Sequence, residues 1–438
     1  MPLASTETPP APSQDWTAPV AASALDAIVE VPGSKSLTNR YLVLAAVAES
    51  SSVVRGWLRS RDTLLMVSAL RALGARIEEV ESDLHIRPID FTSGDSSAVS
   101  IDCGLAGTVM RFVPPVAAAT GREVHVDGDP QARVRPMGVT IEALTRLGAQ
   151  ISSDSGSLPL TIHAGSALRG GHLDIDASAS SQFVSGLLLA APVMPLGLDL
   201  VHSGDSVPSR AHVDMTLEVL ADAGVDVTEP EPEHWVVEPG LPRGLDVQVE
   251  PDLSNAAAFL AAALATHGRV TIPDWPAHTT QAGDGFRAIA VAFGGTVSFD
   301  RSGLTVTGPR RLRPVDLDLS AIGELTPVVA ALAALAPGTS HLRGIGHLRG
   351  HETDRLSALR RELGAIGADV EEHPAALTIT GSHLRPGTWH TYHDHRMVMA
   401  GAVIGLKVSG LVIENAGTVA KTLPEFAQLW EAMLDSED

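Results

Sequence analysis

Cysteine, lysine and aromatic residues are scarce in this chain of 438 residues, and each scarcity excludes something. The one cysteine, Cys103, rules out an internal disulfide and any multi-thiolate metal site, which fits a reducing cytoplasm and leaves Cys103 to the core. No apolar run reaches the roughly 18 residues that span a bilayer. Met1 to Ala24, rich in Ala, Pro, Ser and Thr, lacks the basic start and apolar centre of a secretory signal and reads as a flexible tail. Positive charge is short as well: 31 basic against 52 acidic residues give a net charge of −21, which argues against nucleic acid and anionic membranes as partners. The expectation is a soluble, cytoplasmic, monomeric protein in which any anionic small molecule is held by a local basic cluster.

Such a cluster is visible near the start. Val31 to Arg40, VPGSKSLTNR, reads as a strand end and a Pro-Gly turn, with Lys35, Ser36 and Arg40 opening an alanine-rich helix. The first turn of a helix leaves backbone N–H groups unpaired at the positive end of its dipole, so these side chains complement a phosphate or carboxylate there. Ordinary capping by Ser34 or Ser36 would account equally well for one such segment. Repetition decides between the two.

An apolar, Ala-rich helix pattern followed by a turn and a short β-branched run occurs six times, beginning near Arg40, Met110, Gln182, Asn255, Leu325 and Arg396. After each copy but the last comes an amphipathic helix that closes on a glycine (Gly74, Gly148, Gly224, Gly294, Gly367), with a spacing of about 70 to 76 residues. Each unit reads strand, helix, strand, helix, strand, strand, an α/β layer too long to be a solenoid turn. The sixth copy stops after its second helix, and the strand Leu25 to Val31 has no helix before it. That strand is expected to complete the last unit. A continuous domain over residues 33–250 and a discontinuous one of 25–32 plus 251–438 follow, with a hinge where the chain crosses near Pro32 and Pro251.

Small, hydroxyl, amide, acidic and basic groups recur at the helix starts: LAGTVMR, SSQF, DLSN, GELT and HDHR on the first helices, VRPMG, PSRAH, GHETDR and AKT on the second. If the helices of a domain run parallel, these ends converge on one face. Two such faces opposed across a hinge enclose a cleft.

PGSKSLTNR, LAGTVMRF, RVRPMG, SSQF, GHETDR, DHRM and AKT, in this order over nearly the whole chain, resemble the 5-enolpyruvylshikimate-3-phosphate synthase family. The resemblance implies a two-domain enolpyruvyl transferase fold, each domain three βαβαββ units about a pseudo-threefold axis. It also implies transfer of the enolpyruvyl group of phosphoenolpyruvate to the 5-hydroxyl of shikimate 3-phosphate, releasing phosphate, with no cofactor and no metal. Carried over residue by residue, it assigns Lys35, Ser36, Arg40, Ser180, Ser181, Gln182, Ser209, Glu324 and His351 to shikimate 3-phosphate. Lys35, Gly107, Arg135, Gln182, Arg355, Arg396 and Lys421 go to phosphoenolpyruvate. The chain departs from the family pattern at Ala211, where Pro is usual, at Glu324, commonly Asp, at His351, often Lys, and at His347, usually Asn.

The reaction needs a proton for the methylene carbon of phosphoenolpyruvate and a base at the acceptor hydroxyl. Lys35 and Glu352 are the candidate proton carriers, Glu324 the candidate base. Guanidinium forks suit the carboxylate and phosphate oxygens of the donor. Two alternatives stand beside this reading. UDP-N-acetylglucosamine enolpyruvyl transferase has a similar fold, but that family carries a Cys before an Arg-Pro where this chain has DGDPQARV before Arg135-Pro136. A metal-dependent enzyme could use His347, His351, His393 and His395, although Gly346 and Gly350 disfavour the continuous helix that would align the first two.

Overall fold

The computed structural model describes residues 15–165 and 168–436. The six Ala-rich patterns are helices: Lys35–Val47, Gly107–Ala119, Ser181–Ala190, Leu253–Thr266, Thr326–Leu335 and His395–Gly405. They are apolar on every side, so they belong in the interior rather than on a surface; Leu253–Thr266 is buried at every residue. The first three pack against one another in all pairings, and so do the last three. The second helices, Arg61–Ala72, Gly138–Arg146, Arg210–Asp222, Phe286–Ala292, Arg355–Ala365 and Phe426–Asp435, bury one face and expose the other.

Among the described residues the strands form five four-stranded sheets and one three-stranded sheet, one for each repeat. In the second repeat Val99–Asp102 runs parallel to Val124–Asp127, which pairs antiparallel with Leu160–Ile162, and that strand in turn with Ile151–Ser152. Buried apolar side chains fall into two clusters. One is drawn from residues 37–249, the other from 18–31 together with 253–433.

Two sequence expectations need correction at the N-terminus. Asp26–Ile28 does not complete the last repeat; it pairs in parallel with Arg269–Ile272 and so completes the fourth. The last repeat, Thr388–Trp389 beside Val412–Ile413, takes its third strand from Trp16–Thr17, which pairs antiparallel with Val412–Ile413. Residues 15–24 are therefore part of the fold and not a loose tail. Pairing and aromatic packing hold them: Ala18 is buried, and the Trp16 ring meets Phe426 edge-on at 6.2 Å. Residues 1–14 of the expected tail lie outside the described residues. The first repeat is closed in the same borrowed manner, by Asp246–Gln248 beside Ser52–Arg55.

Where the chain passes between the two clusters its two crossings lie side by side. Gly33 and Pro251 form an antiparallel bridge, flanked by Ser34 N–H to Glu250 C=O (2.7 Å) and Asp252 N–H to Pro32 C=O (2.8 Å). A Cβ at Gly33 would stand 2.0 Å from the Gly56 carbonyl oxygen, so any side chain there would push this crossing off the end of the strand Ser52–Arg55. Among the described residues no helix is long and apolar enough to cross a membrane.

Candidate active site

The starts of inner helices from both halves open into one cavity. Lys35, Ser36, Arg40, Gly107, Arg135, Ser180 and Gln182 line it from residues 33–250; Glu324, His351, Glu352, Arg355 and Arg396 line it from residues 251–438. Side-chain caps fix these starts. Ser34 accepts from Leu37 N–H, Ser180 from Gln182 N–H, Asp252 from Asn255 N–H and Asp394 from Arg396 N–H. Such caps orient the turn and relieve part of the unmet hydrogen bonding at a helix start. The Lys35 N–H donates across to Asp252 Oδ2 at 3.1 Å, which ties the two halves together at the mouth.

Charges on the second face are paired with one another. Arg355 donates from Nε to Asp394 Oδ2 (2.7 Å) and from Nη2 to Asp394 Oδ1 (3.2 Å) and Glu352 Oε2 (3.1 Å), while Nη1 meets His351 Nδ1 at 3.3 Å. Four of its five N–H groups are thus engaged, and one on Nη1 remains for a ligand. The two-pronged grip expected of Arg355 is therefore not open to it. Lys421 Nζ lies 2.5 Å from Glu352 Oε1. Arg396 donates to Ser254 C=O (2.8 Å) and Glu324 Oε2 (3.4 Å), and Glu324 also accepts from Ser254 Oγ (3.3 Å) and lies 3.1 Å from His212 Nε2.

These neighbours set the protonation states. Burial pushes the Glu324 carboxyl up, but His212, Arg396 and Lys35 outweigh it and hold the group well below the usual carboxylate range. Glu352 is likewise raised by burial and pulled well below that range by Lys421, Arg355, His395 and Arg135. Burial and the Arg355 charge drive His351 down to about 3, so it is a neutral imidazole at neutral pH. Because its Nδ1 accepts from Arg355, its proton sits on Nε2. Burial lowers Arg40 to about 9, with Glu324 acting in the opposite sense.

The first face is different. Gln182 Oε1 and Arg135 Nε are buried without a hydrogen-bond partner. Arg135 has only its Nη1 engaged, on Leu105 C=O at 3.2 Å, so its fork is open. A Cβ on Gly107 would lie 3.0 Å from both Arg135 Nη2 and Gln182 Oε1 and would crowd these two groups.

The sequence profile of EPSP synthase (3-phosphoshikimate 1-carboxyvinyltransferase) matches residues 20–430. A 3-phosphoshikimate 1-carboxyvinyltransferase of Kocuria rhizophila is 53% identical over 431 residues, covering 96% of this chain and 97% of the relative. The chain belongs to the EPSP synthase family. Among solved structures, EPSP synthase from Acinetobacter baumannii superposes with a TM-score of 0.79 at 26% identity, over 94% of this chain and 97% of that one. The enolpyruvyl transferase NikO from Streptomyces tendae shares the fold, with a TM-score of 0.71 at 18% identity, over 94% of this chain and 96% of that one. The two-domain enolpyruvyl transferase fold expected from the sequence is thus the fold of this EPSP synthase family member.

Three residues assigned from motifs do not line the cavity. Ser181 is buried as the first residue of its helix. Ser209 takes a left-handed conformation (φ 53°) ahead of the helix Arg210–Asp222. Lys421 stands behind Glu352 as its ion-pair partner. Arg40 does line the cavity, but its guanidinium is largely engaged by Thr216 Oγ1, Ser36 C=O, Ser185 Oγ and His212 C=O. The four histidines of the metal alternative do not gather. The rings of His347 and His351 are 6.0 Å apart and His393 meets Asn415, and among the described residues no group of three or more His, Cys, Asp or Glu side chains is placed to hold a metal ion.

Sequence reasoning missed the residues that hold others. Asp394 grips Arg355, Asp62 lies 3.4 Å from Lys35 Nζ, and Ser254 and His212 flank Glu324. The only available signal was position: Asp394, Ser254 and His212 all sit within the helix-start segments, and none has a motif that marks it as a support.

Proposed function

We propose that this cavity is where the family's enolpyruvyl transfer takes place, with shikimate 3-phosphate against the first face and phosphoenolpyruvate between the two. The observation that carries the reading is the convergence of two ionised carboxylates, Glu324 and Glu352, with Lys35, Arg135, Arg355 and Arg396 around one cavity. Ser36, Ser180 and Gln182 offer hydroxyl and amide groups to the acceptor, and the open fork of Arg135 takes the donor's anionic groups, assisted by one N–H of Arg355 and by Arg396.

The acceptor hydroxyl loses its proton to Glu324 as its oxygen bonds C2 of phosphoenolpyruvate, and the former double bond takes a proton at C3. Phosphate then leaves C2, C3 gives up a proton, and the double bond re-forms. Lys35 and Glu352 are the proton carriers at C3. Glu352 starts as a carboxylate, so it receives a proton before it can give one, and Lys35 is the better donor in the addition. The surrounding cations offset charge where phosphate departs. Both faces come from one chain, which supports a monomer. The acidic surface and the absence of a membrane-spanning helix among the described residues are compatible with a cytoplasmic site of action.

Phosphate release from phosphoenolpyruvate with shikimate 3-phosphate, run beside UDP-N-acetylglucosamine and with or without EDTA, tests the reading. Activity is expected with the first acceptor alone and unchanged by chelation. Turnover with the nucleotide sugar, or loss in EDTA, would overturn it.

A further inference from the structure

Glu324 belongs to the second half, yet its Oε1 meets a side chain of the first: His212 Nε2 lies 3.1 Å away. His212 is anchored through its backbone. Its own backbone carbonyl accepts from Arg40 Nη2 (2.9 Å), Thr216 Oγ1 (2.9 Å) and Ser185 Oγ (3.3 Å), and Arg40 is itself buried. The left-handed turn at Ser209 precedes it, and His212 N–H closes that turn onto Ser209 C=O at 2.9 Å. This three-way anchorage of a main-chain oxygen fixes where His212 stands on the cavity wall, and from there its imidazole reaches Glu324.

We propose that His212 is the positioning residue for Glu324: it aims the carboxylate at the acceptor hydroxyl and makes its readiness depend on the two halves being together. The proposal rests on the reading that Glu324 is the base. Ser254 and Arg396 hold Oε2 from within the second half, so without His212 the carboxylate keeps one anchored oxygen and can rotate about it. With His212 donating to Oε1, both oxygens are fixed, and a lone pair of Oε1 remains to accept a proton. When the acceptor O–H breaks and its oxygen bonds C2, that proton passes to Glu324, C3 takes a proton from the other carrier, and no further reactant is required. The charged and titratable groups facing Glu324, besides His212, are Lys35 and Arg40 from the first half and Arg396, Arg355, His347 and His351 from the second. Of these, His212 alone combines a short contact with an origin in the opposite half.

The test is steady-state phosphate release across pH for His212→Phe, His212→Gln, Glu324→Gln and the double variant His212→Phe/Glu324→Gln, each checked by thermal melting. His212→Phe should lower kcat by about 10- to 100-fold, the usual cost of removing one partner of a charged hydrogen bond, with KM for phosphoenolpyruvate little changed. Its acid limb should move to higher pH, because a neighbour that favours the ionised carboxylate is gone. His212→Gln, whose amide can donate in place of Nε2, should recover most of kcat. The double variant should be no slower than Glu324→Gln alone. Multiplying losses in the double variant, or an unmoved acid limb in His212→Phe, would overturn the proposal and leave His212 as a simple wall of the acceptor site. If His212→Phe does not fold, His212→Asn, too short to reach Glu324, takes its place with the same expectations. An unmutated protein that fails to release phosphate with shikimate 3-phosphate would instead sink the functional reading itself.

Discussion

The two faces of the cavity are built on opposite plans. On the second face the charged groups are paired before any ligand arrives, Arg355 with Asp394 and Glu352, Glu352 with Lys421, and Arg396 with Glu324. The first face keeps an open guanidinium fork, with Arg135 Nε and Gln182 Oε1 unpartnered, whereas the cavity-lining atoms without partners on the second face, His395 Nδ1 and Thr422 Oγ1, belong to neutral groups. A group already paired holds its place and shifts its neighbours' protonation; an unpaired one gains its bond only when substrate supplies it. One face is therefore suited to set proton chemistry, and the other to discriminate what binds.

The sharpest break of that comparison is at Asp394, which is completely buried and grips Arg355. Asp394→Ala leaves a buried guanidinium short of its partner and should cost about 3 to 5 kcal/mol of stability. Chemical denaturation measures this, and a loss below about 1 kcal/mol, the range of an exposed pair, would mean that the network is not what holds this face together.

Next in size is Arg135→Ala on the first face. It should raise KM for phosphoenolpyruvate far more than for shikimate 3-phosphate, by about 1.5 to 3 kcal/mol in binding terms, and leave the denaturation midpoint nearly unchanged because little in the protein leans on this side chain. Equal effects on both substrates would show the subsites to be wrongly divided. Gln182→Ala should do less, about 1 kcal/mol in substrate binding, again without a stability cost. If it destabilises the fold as Asp394→Ala does, the contrast between the faces is lost.

Much of this plan was legible in the chain itself, and the exceptions share a cause. The six inner helices announce themselves because a helix buried on every side must be small and apolar throughout, a pattern no surface helix shows. The cavity residues at PGSKS, SSQ and GHETDR stand where unpaired N–H groups face inward, so their polarity breaks the apolar run and draws notice. By contrast, the destination of Asp26–Ile28 was misread. A strand of three residues carries no register information of its own, and its partner Arg269–Ile272 is remote in sequence. Trp16–Thr17 was hidden for the same reason, beside a composition that otherwise looks like a tail. Asp394, Asp62 and His212 escaped because a residue that works by holding another leaves no mark until both are in view.

The dependence of stability on pH separates the faces as well. His351, held near 3 against an ordinary value of 6.5, binds fewer protons folded than unfolded between those two limits. Its contribution is fully present above pH 6.5 and is lost as pH falls toward 3. Glu324 and Glu352, held below their ordinary 4.5, contribute above that value and lose the contribution below it. Acid sensitivity should thus belong to the second face. His351→Gln should flatten stability against pH between about 6.5 and 4.5, read from urea midpoints; an unchanged slope would place the sensitivity elsewhere.

The paired crossing at Gly33 and Pro251 has a mechanical consequence. Trp16 and the helix Phe426–Asp435 lie together at the two ends of the described fold, joined by the Trp16–Phe426 contact and a hydrogen bond from Trp16 Nε1 to Glu431 Oε1. A stretching force applied through those ends runs first into the part built from residues 18–31 and 253–433. Residues 34–250 hang from the crossing as a closed loop whose ends are clasped by the Ser34–Glu250 and Asp252–Pro32 hydrogen bonds, and they bear no tension while that clasp holds. An optical trap should therefore record two rips, the first releasing contour from the terminal part and the second, at the parting of the clasp, releasing the loop of 34–250 in a single longer step.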